Sequence, residues 1–174
     1  VGAYPANLYA CDAVSGTLDG LDRVGEREIN LYREMGFLAI DNAFSPDEVD
    51  SARQGLLDLI DGRNPDFKGV QFETRAKDIL PALSPEQKQD AVRKLMWYVE
   101  YDARLKAMSQ HPKLMAVVTR LLGIADGSAP TLFQDMALIK PPRIGREKPW
   151  HQDHAYFNFP IGTPVVGVWI ALDE

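Results

Sequence analysis

The chain has little cysteine, no long apolar run and no cluster of basic residues. Its single cysteine, Cys11, cannot form an intrachain disulfide, which predicts a reducing, cytoplasmic setting, although secreted proteins can also lack disulfides. No apolar run approaches the ~20 residues that a membrane helix needs, so we expect no membrane partner. The basic residues are scattered and the net charge is −6, which argues against binding to nucleic acid.

The composition that remains is that of an ordinary globular protein. The chain has 174 residues, of which 45% are hydrophobic and 25% are charged, and this length suits one domain with a sizeable core. Residues 1–25 are rich in Gly, Asp and Ala and have weak periodicity, so we expect an irregular N-terminal arm. Residues 26–174 are expected to form a single domain.

The pattern within that domain changes from helical to strand-like along the chain. Apolar residues recur at three- and four-residue spacing over about 26–124, and Ser45 and Ser84 each begin an N-capping sequence. Strand-like runs dominate about 131–174. The predicted helices cover 26–35, 45–61, 84–110 and 112–123, a polar connection covers 62–82, and the predicted strands cover 37–41, 131–140, 150–159 and 165–172. This order predicts an α+β fold in which helices support one sheet.

The segment Trp150-His151-Gln152-Asp153 contains the strongest chemical signal. Side chains two residues apart point to the same side of a strand, so His151 and Asp153 could bind one metal ion together. A His and a carboxylate are two of the three ligands of the two-His-one-carboxylate triad of non-haem iron oxygenases. The adjacent His154 points to the opposite face of a regular strand, so we do not expect it to be the third ligand.

The His-x-Asp spacing also has structural explanations. Chance alone produces roughly 0.3 such matches in a chain of this composition, and either residue could serve only as a hydrogen-bonding or capping group. The surrounding aromatic residues favour a site, because an aromatic wall excludes water and shapes a cavity, although core packing would explain about half of them equally well. These residues are Trp150, Tyr156, Phe157 and Phe159.

Several segments, taken in order, resemble the phytanoyl-CoA dioxygenase (PhyH) family. The longest runs from Tyr32 to Val49, Tyr-Arg-Glu-Met-Gly-Phe-Leu-Ala-Ile-Asp-Asn-Ala-Phe-Ser-Pro-Asp-Glu-Val. The others are His111-Pro-Lys-Leu, Leu121-Leu-Gly123, Ile139-Lys-Pro-Pro142, Trp150-His-Gln-Asp153 and Val168-Trp-Ile-Ala-Leu172. Together they cover roughly residues 26–174, and their combination is more specific than any one of them.

The resemblance implies a double-stranded β-helix, or jelly roll, flanked by N-terminal helices. It implies Fe(II), 2-oxoglutarate as cosubstrate and O2 as oxidant. His151 and Asp153 would be the first two iron ligands. Met136, Trp169 and, less directly, Lys94 match positions that line the family's 2-oxoglutarate pocket, and Gln134 would neighbour Met136 through strand alternation.

The family pattern also requires a distal His and, about a dozen residues later, an Arg that pairs with the far carboxylate of 2-oxoglutarate. No His follows His154 in this chain. We therefore expect the domain to be incomplete at its C-terminal end, with about half of the jelly roll present and little activity for the chain alone. A missing half supplied by another chain, or a degenerate relative without metal, would also account for the pattern.

The function expected from the resemblance is oxidation of a small-molecule or acyl substrate. The enzyme would hydroxylate a C–H bond, consume O2 and release succinate and CO2. Halogenating members of this superfamily carry Gly or Ala in place of the carboxylate, so Asp153 favours hydroxylation. The alternative is a non-catalytic jelly-roll module that binds a small molecule or a partner. The substrate and the oligomeric state cannot be predicted from the sequence.

Overall fold

The structure of the protein is a computed structural model that describes residues 14–140 and 151–173. The chain divides into two compact units, with the boundary between Ala43 and Phe44. The division predicted from composition, an arm over 1–25 and a domain over 26–174, stays a prediction. Within the described ranges, none of the helices combines the length and the apolar character needed to cross a membrane.

From residue 14 onwards, where its description begins, the first unit contains one α-helix and a pair of very short parallel strands. Among the described residues of this unit, the elements are β1 (Leu18–Asp19), a 3-10 helix (Leu21–Arg23), α1 (Glu26–Met35) and β2 (Ile40–Asp41). The predicted helix over 26–35 is confirmed. It ends at Gly36, whose φ of 81° is a left-handed conformation that glycine adopts without steric cost. The strand predicted over 37–41 is shorter than expected, since only its last two residues pair with β1.

The second unit contains four α-helices among its described residues. They are α2 (Pro46–Ile60), α3 (Pro85–Gln89), α4 (Ala103–Ser109) and α5 (Pro112–Leu121). The first two begin in the same way: Ser45 and Ser84 each cap a helix whose first residue is proline, and a Glu or Gln side chain completes the capping box. Both predicted capping sequences are confirmed.

A small antiparallel sheet carries Lys94 and Met136, two of the residues predicted to line a pocket. Its strands are β3 (Val70–Phe72), β4 (Val92–Met96) and β5 (Met136–Leu138), with β4 in the centre. The helix predicted over 84–110 is therefore wrong, because α3 stops at Gln89 and residues 92–96 form a strand. A short apolar run fits both the 3.6-residue period of a helix and the two-residue period of a strand. Here residues 92–96 form a strand because β3 and β5 pair with its two edges. Between β3 and α4 lie three further 3-10 helices, Thr74–Ala76, Leu80–Ala82 and Val99–Tyr101.

Three other sequence predictions need correction. The connection over 62–82 contains β3 and two 3-10 helices, so it is not only a surface loop. The strand predicted over 150–159 is wrong for its described part, where residues Asp153–Ala155 form a 3-10 helix. Residues 165–172 are not in a strand. A β-prone run becomes a strand only where its backbone groups find a partner, which composition cannot reveal.

The sheet has one buried and one open face. Its buried face packs against α2 and α4 in a core formed by Ala52, Leu59, Phe67, Val92, Leu95, Leu105 and Met108. The open face carries Lys94 opposite Leu138 and Met96 opposite Met136. The mixture of helices and sheet confirms the predicted α+β class, whereas the double-stranded β-helix stays a prediction.

Candidate metal and cosubstrate site

His151 and Asp153 lie next to each other in a tight turn. Gln152 is extended and a 3-10 helix begins at Asp153, whose carbonyl accepts a hydrogen bond from the Tyr156 N–H. The His151 Nε2 and Asp153 Oδ1 atoms are 3.1 Å apart. The predicted proximity is thus present, but a turn produces it and not the alternation of a regular strand.

The separation of these two atoms fits a shared metal ion. Two donor atoms bound to one ion at about 2.1 Å and at right angles are about 3 Å apart. A neutral imidazole and a carboxylate are donors that suit Fe(II) in this geometry. Within residues 14–140 and 151–173, no group of three or more His, Cys, Asp or Glu side chains could hold a metal. The described residues therefore contain two of the three side chains that the family pattern predicts as ligands.

The two donors differ in their access to solvent. The Asp153 side chain is 75% exposed, whereas the His151 side chain is 29% exposed. The ring of Tyr156 contacts the His151 ring edge to face, with centroids 5.4 Å apart. An imidazole held by an aromatic neighbour and a carboxylate open to solvent leave room for further ligands on the exposed side.

Lys94 and Met136 also lie together, as neighbours across β4 and β5. The Lys94 Nζ atom is 3.9 Å from the Met136 sulfur. Met136 is 39% exposed, so the pair is accessible on the open face of the sheet. An ammonium group beside an apolar thioether is a suitable place for a carboxylate with a short carbon chain. The sequence placed Lys94 on a helix, so this neighbour relation follows only from the corrected strand.

Gln134 and Trp169 are the other two residues predicted to line the 2-oxoglutarate pocket. Gln134 is half-buried and precedes β5, so strand alternation does not determine the direction of its side chain. Trp169 is 80% exposed and is not enclosed by the described residues. The pocket roles of Lys94, Met136, Gln134 and Trp169 stay predictions, as do the iron-binding roles of His151 and Asp153.

Three phenylalanine rings connect the His151 segment to the chain that leads into β5. The Phe133 ring lies 5.0 Å from the rings of both Phe157 and Phe159, with edge-to-face geometry. Such contacts hold two chain segments together through apolar burial and ring electrostatics. The predicted aromatic wall therefore acts here as packing that positions the segment, while Trp150 lies outside the described residues.

One polar residue of this region was not found from the sequence. The Asp135 carboxylate, directly before Met136, accepts hydrogen bonds from the backbone N–H groups of Tyr98 and Val99. Burial raises the pKa of the Tyr98 phenol, and the charge of Asp135 raises it further. No sequence pattern links Asp135 to a turn 37 residues earlier, because only the β4–β5 pairing brings the two together.

A profile of the family described as phytanoyl-CoA dioxygenase (PhyH) matches residues 32–174. The chain belongs to this family. The match includes both the His151–Asp153 pair and the strands that carry Lys94 and Met136. The resemblance seen in the sequence is confirmed.

Two curated PhyH relatives have the same name, phytanoyl-CoA dioxygenase domain-containing protein 1. The protein from Danio rerio is 23% identical over 184 residues, which cover 88% of this chain and 62% of the relative. The protein from Mus musculus is 33% identical over 75 residues, which cover 42% of this chain and 24% of the relative. This PhyH chain therefore spans less than two thirds of the zebrafish relative. No solved structure matches it.

Proposed function

We propose that this PhyH protein contributes to an Fe(II)- and 2-oxoglutarate-dependent dioxygenase that hydroxylates a small-molecule or acyl substrate. The observation that supports this proposal most strongly is the 3.1 Å separation of the His151 and Asp153 donor atoms within a family match that includes both. The overall reaction inserts one oxygen atom of O2 into a substrate C–H bond and places the other in succinate, with release of CO2. The cytoplasmic setting inferred from the single cysteine belongs to the same proposal.

The chain's own residues have distinct tasks in this proposal. His151 and Asp153 hold Fe(II), and the carboxylate supplies negative charge that favours a divalent cation. Lys94 pairs with a carboxylate of 2-oxoglutarate, while Met136 and Trp169 exclude water from its carbon chain and Gln134 lies beside Met136. Bound Fe(II), together with 2-oxoglutarate and O2, supplies the oxidising power, and the protein supplies orientation and an apolar surrounding.

The jelly roll belongs to the same proposal. The open face of β4 and β5, with Lys94 and Met136, would face the interior of the barrel, where ligands bind in closed β structures. A third iron ligand and an arginine for the far carboxylate would come from residues outside those described.

Metal binding by Asp153 variants tests the proposal. We expect Mn(II), used in place of Fe(II) in electron paramagnetic resonance titrations, to bind the wild-type chain. Both Asp153→Ala and Asp153→Asn should lose this binding, because the amide keeps the shape of the side chain but not its charge. Asp78→Ala, which removes an exposed carboxylate elsewhere, is the matched control and should bind as the wild type does.

Product formation provides the second measurement. With Fe(II), 2-oxoglutarate and O2, any succinate released by the wild-type protein should disappear in Asp153→Ala. Measurable succinate release that is equal in the two proteins would contradict the assignment of Asp153. Unchanged Mn(II) binding in both Asp153 variants would contradict the metal site.

A non-catalytic binding module is the second candidate. The observation that favours it is the presence of two donors, not three, among the described residues. In that case the contact between His151 and Asp153 is an ordinary hydrogen bond that stabilises the turn. Asp153→Asn would then leave the turn and its thermal stability nearly unchanged, and neither protein would bind Mn(II).

A further inference from the structure

Trp97, directly after β4, has a backbone conformation that is unusual for its residue type. Its φ is 59°, in the left-handed region. Asn42 is the other non-glycine residue with positive φ among those described, and asparagine tolerates this region far better than a bulky aromatic residue does. The Trp97 side chain is 53% exposed, so burial of the indole does not explain the strain.

Hydrogen bonds from a single residue surround this strained position. The Trp97 N–H donates to the Asp135 carbonyl at 3.2 Å. The next two N–H groups, of Tyr98 and Val99, donate to the Asp135 carboxylate. A strained backbone persists only where its surroundings enforce it, and here one aspartate provides three acceptor contacts to three successive residues.

The strained turn and the aspartate both adjoin the pair predicted to bind the cosubstrate. Trp97 follows Met96, which lies opposite Met136, and Asp135 directly precedes Met136. Lys94, two residues before Met96, contacts the Met136 sulfur. The Asp135 bonds therefore close the end of the β4–β5 pairing that carries Met136, whose sulfur the Lys94 side chain reaches from two residues further along β4.

We propose that Asp135 is a positioning residue for 2-oxoglutarate binding, which acts by holding the Trp97 turn so that Met136 and Lys94 stay in register. This inference rests on the proposed function, because it assigns Lys94 and Met136 to the cosubstrate. Asp135 does not contact the cosubstrate itself. Without its carboxylate the Trp97 turn relaxes towards an ordinary conformation, and the end of the β4–β5 ladder shifts with it.

Binding of Mn(II) and of 2-oxoglutarate to the full chain distinguishes a positioning role of Asp135 from a general loss of folded structure. In Asp135→Ala, we expect 2-oxoglutarate in the presence of Mn(II) to bind about tenfold or more weakly, because a shifted ladder end would displace the Lys94 ammonium group and weaken one hydrogen bond to a charged group. Binding of Mn(II) alone should be weakened much less, because His151 and Asp153 lie on another segment, which is joined to the chain before Asp135 through the Phe133 ring. Asp135→Asn keeps a carbonyl oxygen in place and should restore most of the 2-oxoglutarate affinity.

A second variant tests the strain directly. Glycine adopts positive φ freely, so in Trp97→Gly the turn no longer needs to be held. The loss caused by Asp135→Ala should therefore be much smaller in the Trp97→Gly background than in the wild type, which is a coupling that a double-mutant cycle measures. Because the double variant lacks the strained tryptophan, it should stay folded and measurable if Asp135→Ala alone unfolds.

The outcomes discriminate between this inference and the proposed function. Wild-type affinity for 2-oxoglutarate in Asp135→Ala would overturn the role of Asp135 alone. Equal weakening of Mn(II) and 2-oxoglutarate binding, with equal losses in both Trp97 backgrounds, would show a general structural role and overturn it too. Failure of the wild-type chain to bind either probe would overturn the proposed function, and this inference with it.

Discussion

At the scale of single residues, Lys94 shows that the contacts a side chain can make depend on whether it lies on a helix or on a strand. On a helix its ammonium group would have no defined relation to Met136, 42 residues later. On β4 it is a neighbour of Met136 and lies 3.9 Å from its sulfur. Lys94 lies diagonally across from Met136, since the residues opposite them are Leu138 and Met96, and diagonal neighbours of an antiparallel pair are within reach of long side chains. The chemistry of Lys94 therefore depends on strand pairing.

Replacement of Lys94 by methionine should weaken 2-oxoglutarate binding. The variant keeps an unbranched apolar side chain but removes the charge, and a hydrogen bond to a charged group contributes about 1.5–3 kcal/mol. We therefore expect a loss of about tenfold to a hundredfold in affinity, measured by calorimetry with Mn(II) present.

A lysine in a surface turn is the matched control for this measurement. Lys77 is exposed in the turn that follows the 3-10 helix Thr74–Ala76, so Lys77→Met removes the same charge far from β4 in sequence. It should bind 2-oxoglutarate as the wild type does. A similar loss in both variants would mean that net charge, and not a contact made by Lys94, controls the affinity.

At the scale of elements, a charged cluster joins α2 to α4. The Asp102 carboxylate caps α4 by accepting hydrogen bonds from the N–H groups of Arg104 and Leu105. The Arg104 guanidinium contacts Asp102 at 2.6 Å and Asp58 of α2 at 2.7 Å. Gly55 allows this approach, because a Cβ atom there would lie 2.9 Å from Asp102 Oδ1. The small residue and the ion pairs thus fix one helix against the other.

Acidification should weaken this junction between α2 and α4. The hydrogen bonds from Arg104 are the main reason why the pKa values of Asp102 and Asp58 lie below their ordinary range. Because the folded pKa is lower than the unfolded value of about 3.9, the stabilisation is complete above that pH and is lost as the pH falls towards the folded pKa. Urea unfolding at a series of pH values measures this loss.

Two replacements of Asp102 separate the cap from the ion pair. Asp102→Ala removes both and should reduce the free energy of unfolding near neutral pH by about 1–2 kcal/mol. Asp102→Asn keeps an N-cap acceptor, so it should cost less, and its acid-induced loss of stability should be smaller than that of the wild type. An acid response of Asp102→Asn equal to that of the wild type would show that other carboxylates dominate.

At the scale of the whole molecule, ligand binding should be visible as increased stability. A ligand that binds only the folded state at a hundred times its Kd stabilises that state by about 2.7 kcal/mol. Saturating Mn(II) and 2-oxoglutarate should therefore raise the melting temperature of the wild-type chain, followed by circular dichroism. The same additions should not shift Asp153→Ala, and an equal shift in both proteins would indicate binding elsewhere.

The capping sequences show what local sequence can predict. Ser45 and Ser84 bond to groups three residues away, so the signal and the structure it specifies lie in the same short segment. The same holds for the helix that ends at Gly36, where one residue type tolerates the required backbone angle. The α+β class followed from the distribution of such local signals along the chain.

The strands show what local sequence could not predict. Val92–Met96 contains apolar residues at spacings that suit a helix, and it is a strand because β3 and β5 pair with its two edges. Residues 165–172 are rich in β-branched side chains and are not in a strand. In both cases the outcome depends on whether a partner lies alongside, which is a property of distant parts of the chain.

The sequence by itself determined the starts of α1, α2, α3 and α5, the α+β class and the proximity of His151 and Asp153, because short-range spacing encodes each of them. The ordered combination of its segments determined the family. Only the tertiary structure decided that Lys94 lies beside Met136, and that Asp135 holds the strained Trp97 turn. These relations join residues 36 to 42 positions apart. They exist only because β4 pairs with β5 along one edge, while one face of the sheet packs on the helical core.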